Sequence, residues 1–432
     1  MTGLSKQAVR PLRTLDPDAP LDDLAWLDDV VGDARVVAIG EASHYLAENL
    51  LLRHRLTRYL VERHGFGAYV MESGFTQGWL VHDWIRTGEG NLGQVMADGV
   101  TSLMGLWTQL RAHVEWMRGC DRAVDFYGTD LGASVVSVLP SLEAVLAYLA
   151  KADPAFTPDP NLREIAGVFA IPSAFSMPEG IAAYGKLAQD RRDALTAGLA
   201  DLLARVTGRR LDYVRATTAG DYERALRTLH ETVTIDQVLR RLVRGEQHEV
   251  LTVRDATVAD TVEWLLGREE RIVLGEHNGH LQRGPGLLPG VPPGTAPATP
   301  LGLRLADRLG ADYVVIGVTL GSGQTLNENP EEFSRGKIFM DLEPPEPDSL
   351  DGLMAASHDG PFGVDLRRLS ADDAAKVRAA SRQRLIGTQY LDVRALDAYD
   401  ALVHLPRVRG ADPDPDVIAC SPPDVRKRFP SH

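Results

Sequence analysis

Short apolar runs rich in β-branched residues recur along this 432-residue chain, and they constrain its fold more than any other feature. Runs of this length are typical of buried strands and are too short for core helices. They cover residues 36–39, 68–71, 124–127, 272–274, 314–318 and 401–404. Between the first two, residues 48–63 carry apolar side chains at helical spacing. This pattern predicts an α/β protein with a central, mostly parallel β-sheet flanked by helices.

The strand signals largely vanish between about residues 140 and 254, where long amphipathic segments cover 181–205 and 222–243. We therefore expect a helical insertion that interrupts the α/β core. The predicted parts are an N-terminal part of the catalytic core at 1–139, the insertion at 140–253 and a C-terminal part of the core at 254–432. Residues 284–300 are dense in Pro and Gly and predict a loop near the site. A final helix is predicted over 371–385.

Charge and cysteine content exclude several classes of protein. The net charge is -14, from 46 basic and 60 acidic residues, which argues against a nucleic-acid or anionic-membrane partner. Cys120 and Cys420 are the only cysteines, so a disulfide framework or a thiolate zinc cluster is excluded. We expect a reduced, cytoplasmic setting with no signal peptide and no membrane span. The expected partner is a small molecule, and the oligomeric state stays open.

Two distant polar segments follow predicted strands. The first is Gly-Glu-Ala-Ser-His at 40–44, and the second is Glu-His-Asn-Gly-His at 276–280. Ligands of open α/β sheets bind at the carboxyl ends of the strands. The two segments are therefore expected to form one site, which favours an enzyme.

His44 is the candidate base, because histidine accepts a proton near neutral pH and a carboxylate can orient it. Glu41 lies three residues earlier, and Glu72 follows the neighbouring predicted strand. Arg53 lies on the next helix, where it could hold Glu72 or an oxyanion, or could be an ordinary surface arginine. Glu41 could equally cap that helix.

His277 and His280 leave two interpretations open. With the nearby carboxylates and His44 they could bind zinc, manganese or iron. They could instead donate hydrogen bonds to a tetrahedral oxyanion. Neither the H-E-x-x-H zinc motif nor the G-x-S-x-G nucleophile elbow occurs.

Taken in order, these motifs resemble the erythromycin esterase family. The resemblance extends from Gly40 to about Leu405 and includes G-E-A-S-H-x-x-x-E at 40–48, Arg53, the strand end at Glu72, F-Y-G-T-D at 126–130, Arg254-Asp255, H-N-G-H at 277–280, the stretch 302–317 and Y-D-A-L at 399–402. Each motif is weak alone, but the order and the intervals are fairly specific.

The resemblance implies a macrolide-type esterase that opens a lactone with water and forms no covalent acyl-enzyme. By motif matching, His44 is the general base and Glu72 its charged partner, and Glu41 matches the acidic residue before the histidine. The polar groups expected around the scissile ester are Arg53, His277 and His280. The resemblance implies no required cofactor, although more distant relatives depend on a metal.

Four further residues, Tyr45, Asp130, Asn278 and Glu276, are predicted to contact the substrate. Tyr45 stands where a small residue is frequent in the family, and Glu276 where alanine is common. Three rival functions stay open: a natural-product lyase or cyclase that uses the same histidine, a metal-dependent hydrolase, and a non-catalytic small-molecule binding protein. The acyl group, the alcohol and a role in antibiotic resistance or in biosynthesis are not determined by the sequence.

Overall fold

The structure is a computed structural model that describes residues 2–122, 124–132, 137–170, 173–285 and 297–429. Its strands are β1 (Arg10–Pro11), β2 (Val36–Ile39), β3 (Ala68–Gly74), β4 (Asp125–Asp130), β5 (Ile272–Gly275), β6 (Tyr313–Leu326), β7 (Phe339–Leu342), β8 (Phe362–Asp365), β9 (Arg382–Ile386), β10 (Gln389–Asp392) and β11 (Ala401–Val408). All six predicted strands are present.

The helices of the first half are α1 (Leu27–Val31), α2 (Ala47–His64), α3 (Phe75–Thr87), α4 (Leu92–Gly99), α5 (Thr108–Gly119), α6 (Leu139–Ala152), α7 (Pro160–Val168), α8 (Met177–Lys186), α9 (Gln189–Gly208) and α10 (Arg210–Ala216). The remaining helices are α11 (Ala219–Arg244), α12 (Gln247–Leu266), α13 (Asn278–Leu281), α14 (Leu301–Leu309), α15 (Pro330–Ser334), α16 (Leu350–Ala355), α17 (Ala371–Ala379), α18 (Ala395–Ala398), α19 (Pro415–Cys420) and α20 (Pro423–Arg428).

One nine-stranded sheet organises the core. Its order is β1-β8-β11-β6-β2-β5-β3-β4, and β7 pairs with the end of β6. The strands from β11 to β4 are parallel. The added strands β1, β7 and β8 pair antiparallel. The predicted mostly parallel α/β sheet is confirmed.

Both faces of the sheet are covered, because its central strands are apolar on both sides. In β2, Val37 and Ile39 pack into one core, whereas Val36 and Ala38 pack into the core on the opposite face. This follows from the two-residue period of a strand. Strands buried on both faces read as continuous apolar runs, which explains why they were visible in the sequence.

The insertion has a hydrophobic core of its own, whose buried members extend from Leu131 to Leu239. A separate core supports the idea of an inserted helical unit. Its predicted boundaries stay a prediction, and α12 runs without interruption across the later one. Because α12 also packs against the sheet, it joins the insertion to the core.

The predicted helix over 371–385 is wrong in its second half. Helix α17 ends at Ala379, and β9 then pairs with β10 as an antiparallel hairpin. Gly387, with φ of 51°, turns the chain between them. Gln383 in β9 is buried and donates to the carbonyl of Val318, a long-range contact that helical periodicity cannot reveal.

The predicted loop over 284–300 falls largely on residues 286–296, which lie outside the described residues. Within the described part of the chain, no helix is long and apolar enough to cross a membrane.

Candidate active site

Four neighbouring parallel strands, β2, β5, β3 and β4, bring the predicted polar residues to one edge of the sheet. Glu41 and His44 follow β2, and His277 follows β5. Glu72 lies inside β3, and Asp130 ends β4. The carboxyl ends of these strands therefore form a single polar centre, as the sequence predicted.

Glu41 and His44 form the most direct pair in this centre. Oε1 of Glu41 lies 2.6 Å from Nδ1 of His44. Glu41 is 1% exposed, whereas the side chain of His44 is 26% exposed and is the more accessible of the two. A proton on Nδ1 of His44 is held by the carboxylate, so Nε2 is the nitrogen left to act as a base.

The Glu41 carboxylate is also paired with Arg53. Nη1 of Arg53 lies 3.1 Å from Oε2 of Glu41, while Nε and Nη2 donate to the carbonyls of Ile39 and Glu276. Arg53 is 1% exposed, so it is a buried member of the centre and not a surface arginine. The structure thus pairs Arg53 with Glu41, whereas the sequence suggested Glu72 or an oxyanion.

Glu72 lies in an irregular part of β3. Pairing between β3 and β4 shifts register between Met71 and Gly74, and such bulges often redirect a side chain next to a functional site. Oε2 of Glu72 accepts from the backbone N–H of His277 at 2.9 Å, and Oε1 accepts from Nη2 of Arg254 at 3.0 Å. Glu72 therefore links β3 to the second polar segment and to α12.

Arg254 and Asp255, in the middle of α12, are also part of the centre. No individual motif in the sequence predicted a role for these two residues. Nε and Nη2 of Arg254 donate to the two oxygens of Asp130 at 2.7 and 2.8 Å. Asp255 lies 3.0 Å from Nδ1 of His280 and also accepts from the backbone N–H of Leu301. The available signal was the Arg254-Asp255 pair within the family resemblance.

His277 and His280 differ in their hydrogen bonds. Nδ1 of His277 accepts from the N–H of Gly279 at 3.1 Å, so the proton of a neutral ring is on Nε2. The ring centroid of His277 lies 5.2 Å from that of His44. Nε2 of His280 lies 3.6 Å from Glu72 and 2.8 Å from Nη1 of Arg254.

Burial and neighbouring charges separate the pKa values of the three histidines. Burial disfavours the imidazolium of His44, but the hydrogen bond and charge of Glu41 outweigh it and raise the pKa of His44 above its usual value. Burial and the charge of His44 lower the pKa of His277 to about 3. Burial and Arg254 also oppose the charged form of His280, yet Asp255 and Glu72 raise its pKa to about 9.

The carboxylates respond to the same surroundings. Burial opposes ionisation of both Glu41 and Glu72, but cations outweigh it and lower both pKa values. Arg53 and His44 act on Glu41, and His280, His44 and Arg254 act on Glu72. The centre thus combines carboxylates with lowered pKa values, a His277 with a lowered pKa and a His280 with a raised pKa, and opposed pKa values of this kind are typical of acid–base catalysis.

Two of the predicted substrate-binding residues are buried in structural roles. Asn278 is fully buried, and its side-chain amide exchanges hydrogen bonds with the backbone of Val318 at 2.7 and 3.1 Å. Asp130 uses both oxygens on Arg254. Both side chains therefore join elements around the centre instead of facing the cleft.

Tyr45 is packed beside His44, with ring centroids 5.7 Å apart, and its hydroxyl donates to the carbonyl of Ser102 at 2.5 Å. Tyr45, Ser102 and Leu103 are the non-glycine residues with positive φ in the described chain. Such backbone strain persists only where surrounding contacts impose it. This contact therefore holds the backbone next to His44. Glu276 is 1% exposed, and its carboxyl lies 2.9 Å from the hydroxyl of Thr129.

A resident metal fits this donor set poorly. Ligand-type atoms of Glu41, His44 and Glu72 lie within 4.8 Å of one another. However, His44 and Arg53 already occupy the two oxygens of Glu41, and Glu41 occupies Nδ1 of His44. Arg254 adds a second guanidinium beside Glu72. The arrangement is that of a network of hydrogen-bonded acidic and basic side chains.

A histidine–carboxylate pair at the carboxyl edge of a mostly parallel sheet, bordered by further histidines and guanidinium groups, is typical of the active site of an α/β enzyme. Residues 61–408 match the model of the family described as erythromycin esterase. The chain belongs to the erythromycin esterase family, a family of ester hydrolases. The predicted family resemblance and enzyme class are confirmed.

Two Escherichia coli relatives illustrate the similarity. Erythromycin esterase type II is 28% identical over 338 residues, which cover 74% of this chain and 77% of the relative. Erythromycin esterase type I is 25% identical over 318 residues, covering 69% and 74%. The family match begins after Glu41, His44 and Arg53, so the roles of these three residues rest on the geometry of the centre.

Two solved structures share the fold. A mutant of the erythromycin esterase EreC in its open conformation has a TM-score of 0.75 at 20% identity, covering 94% of this chain and 98% of that one. A Bacillus cereus protein has a TM-score of 0.76 at 19% identity, covering 94% and 97%. At these identities the structures support the architecture alone.

Proposed function

We propose that this protein hydrolyses a macrolide or a related lactone, with His44 activating water and no covalent intermediate. The observation behind this proposal is the pairing of Glu41 with Nδ1 of His44, which leaves Nε2 of His44 free to act as a base. The side chain of His44 is also the more accessible of the two. A histidine held by a carboxylate is the usual general base for ester chemistry. The family of the chain supports the substrate class.

The first step uses His44 and the carboxylates beside it. Nε2 of His44 takes a proton from water while the water oxygen attacks the ester carbonyl carbon, which gives a tetrahedral oxyanion. Glu41, with Glu72 nearby, stabilises the imidazolium that forms. Neutral His277, whose ring lies beside that of His44, is the proposed donor to the oxyanion through its Nε2–H.

The second step breaks the bond between the carbonyl carbon and the alcohol oxygen. His280, whose pKa is raised to about 9, is the proposed proton donor to the departing alkoxide. His280 then regains a proton from solvent. His44 releases to solvent the proton that it took from water, and the carboxylic acid product ionises. The net change is the addition of one water to the lactone.

The hydroxyl of Ser43 is not available as a nucleophile. Ser43, which directly precedes His44, is 3% exposed. Its oxygen accepts hydrogen bonds from the hydroxyl of Thr325 and the N–H of Leu326 at 2.9 and 3.1 Å. This supports direct attack by water over an acyl-serine intermediate.

The proposal is tested by incubating the protein with a panel of lactones in isotopically labelled water and measuring product masses. We expect a ring-opened product that carries one solvent oxygen in its new carboxylate. His44→Asn should lower turnover by about 10²- to 10⁴-fold, the usual contribution of a general base. His64→Asn is the matched control, because His64 contacts Asp28 at the surface end of α2.

Normal turnover by folded His44→Asn would contradict the role of His44. Conversion without incorporation of solvent oxygen would favour elimination or cyclisation. The metal-free mechanism is checked by elemental analysis and by activity after chelation. Stoichiometric metal that is needed for turnover would overturn it.

A further inference from the structure

Glu276 differs from the other carboxylates of the centre because none of the described residues supplies a cation that pairs with its carboxyl group. Glu41 is paired with His44 and Arg53, and Glu72 with Arg254. Asp130 and Asp255 are likewise paired with Arg254 and His280. Oε1 of the Glu276 carboxyl forms a hydrogen bond with the hydroxyl of Thr129, 2.9 Å away. A buried carboxylate without a cation or N–H donor is strongly disfavoured.

The hydroxyl of Thr129 indicates where the proton lies. Oγ1 of Thr129 is 3.0 Å from the carbonyl oxygen of Met71 as well as 2.9 Å from Glu276. A hydroxyl has one proton, and a carbonyl oxygen only accepts. If Thr129 donates to Met71, the proton in the other bond belongs to the carboxyl of Glu276.

Charged and titratable groups face Glu276 from every side. Glu72 lies on β3, Arg254 and Asp255 on α12, and His280 on α13; Arg53 on α2, Tyr69 on β3 and Tyr313 on β6 also interact with it. Burial and the charge of Glu72 raise the pKa of Glu276 to about 8, although His280 and Arg254 oppose this shift. The cations cannot offset burial because they already pair with other carboxylates.

The hydrogen bonds also connect three strand ends. Glu276 follows β5, Thr129 is in β4, and Met71 is in β3, which lies between them. Met71 is at the start of the register shift that carries Glu72. The chain of bonds from Glu276 through Thr129 to Met71 therefore supports the backbone immediately before Glu72.

We propose that Glu276 is a protonated carboxylic acid in the resting protein and acts as a positioning residue, holding the Met71–Glu72 backbone through Thr129. The proposal rests on the proposed hydrolysis, because it concerns the same centre. Loss of the proton to solvent at alkaline pH places a second buried charge next to Glu72. That charge competes for Arg254 and His280 and removes the hydrogen bond to Thr129, so activity falls.

The test compares Glu276→Gln with the original protein across pH. Glutamine keeps the size and an N–H donor toward Thr129 but cannot ionise. With each profile normalised to its own maximum, kcat/KM of the original protein should fall about tenfold per pH unit above its alkaline pKa. The Glu276→Gln profile should lack this limb or show it at higher pH, where His280 titrates.

Glu269→Gln is the matched control, because Glu269 is a partly buried carboxyl that accepts from Tyr127 outside the centre. It should keep the alkaline limb. An unchanged limb in Glu276→Gln would overturn the proposal.

Infrared spectroscopy gives a readout that does not need a substrate. At pH 7 the spectrum should contain the carbonyl stretch of a protonated carboxyl that is absent from Glu276→Gln. Absence of this difference would overturn the proposal even if lactones are hydrolysed. Its presence without lactone hydrolysis would support the protonation of Glu276 while contradicting the proposed function. Thr129→Val should shift the band, because it removes the acceptor of the proton.

Discussion

His44 owes its basicity to its contacts. The bond from Nδ1 to Glu41 sets which nitrogen is free, and the charges of Glu41 and Glu72 favour the protonated ring over the penalty of burial. Arg53 opposes this effect by pairing with Glu41. The strength of the base is therefore a balance that single substitutions can shift.

Glu41→Gln should move the acidic limb of the pH profile to lower pH. This limb reflects deprotonation of His44, whose pKa is raised by the Glu41 charge and hydrogen bond. Removing the charge lowers that pKa, so the neutral base appears at lower pH. We also expect kcat/KM at pH 7 to fall by about 10²-fold or more, because the imidazolium formed during attack is less stabilised. Steady-state kinetics between pH 5 and 9 measure both effects.

Glu62→Gln is the control for this substitution, because Glu62 pairs with Arg58 at the exposed side of α2. Its profile should match that of the original protein. An acidic limb at the same pH in Glu41→Gln would show that another group controls it.

Among the helices and strands, α12 connects the helices between β4 and β5 to the polar centre. Its Arg254 binds Asp130 at the end of β4 and Glu72 in β3, and its Asp255 binds His280. Helix α12 therefore supplies the guanidinium that pairs with two buried carboxylates. It also supplies the carboxylate that contacts His280, the proposed acid.

Arg254→Lys should lower both stability and activity. Lysine keeps one charge but cannot make the planar two-point contact with Asp130. We expect the free energy of unfolding to fall by about 1–3 kcal/mol, the scale of hydrogen bonds to charged groups. Urea unfolding and kcat/KM measure the two losses.

Arg308→Lys is the matched control, because Arg308 of α14 pairs with Asp260 and Glu263 of α12 at the surface. Exposed ion pairs contribute about 1 kcal/mol or less, so this variant should change little. Equal losses in the two variants would contradict the special role of Arg254.

The turn after β2 depends on a close contact with Asn278. A Cβ at Gly40 would lie 2.0 Å from Oδ1 of Asn278, the atom that accepts from the N–H of Val318. Gly40→Ala should therefore displace this bridge, destabilise the protein by about 1–3 kcal/mol and reduce activity, since Glu41 is the next residue. Gly208→Ala, where a Cβ meets nothing within 4 Å, should be neutral or slightly stabilising. Thermal unfolding and kinetics of both variants test this.

For the whole molecule, several histidines outside the polar centre are buried, and burial lowers their pKa values. His54 stacks on His113 with ring centroids 4.5 Å apart, and the Nε2 atoms of both have no hydrogen-bond partner among the described residues. Burial, with a smaller effect of Arg58, lowers the pKa of His54 to about 4. Burial also lowers the pKa of His404 to about 3.

His54→Phe should make stability less dependent on pH in mildly acidic solution. The unfolded chain binds the His54 proton near pH 6.5, whereas the folded chain binds it only near pH 4. Stability is therefore lost as pH falls through this window, by at most about 1.4 kcal/mol per pH unit for one group. Urea unfolding between pH 4 and 8 should give a smaller loss for His54→Phe.

The region above pH 7 is an internal control, because neutral histidine does not titrate there in either state. The two stability curves should be parallel in that region. Equal slopes below pH 6.5 would show that His54 does not contribute to the acid sensitivity.

The local sequence pattern is sufficient to predict the class of fold and the two polar segments of the centre. Burial on both faces makes strands such as 36–39 apolar throughout, which is a local property that can be read directly. The pairing of Glu41 with His44 was also accessible, because the two residues share one turn.

Which charged groups pair with one another depends on the tertiary structure. Arg254 and Asp130 are 124 positions apart, and their contact depends on the order of the strands and on the rotation of α12. The same holds for Arg53, which the fold directs to Glu41, and for Glu72, which lies in a bulge set by the neighbouring strand. Periodicity specifies which face of an element is apolar, but contacts between polar groups on separate elements arise from the packing of the whole chain.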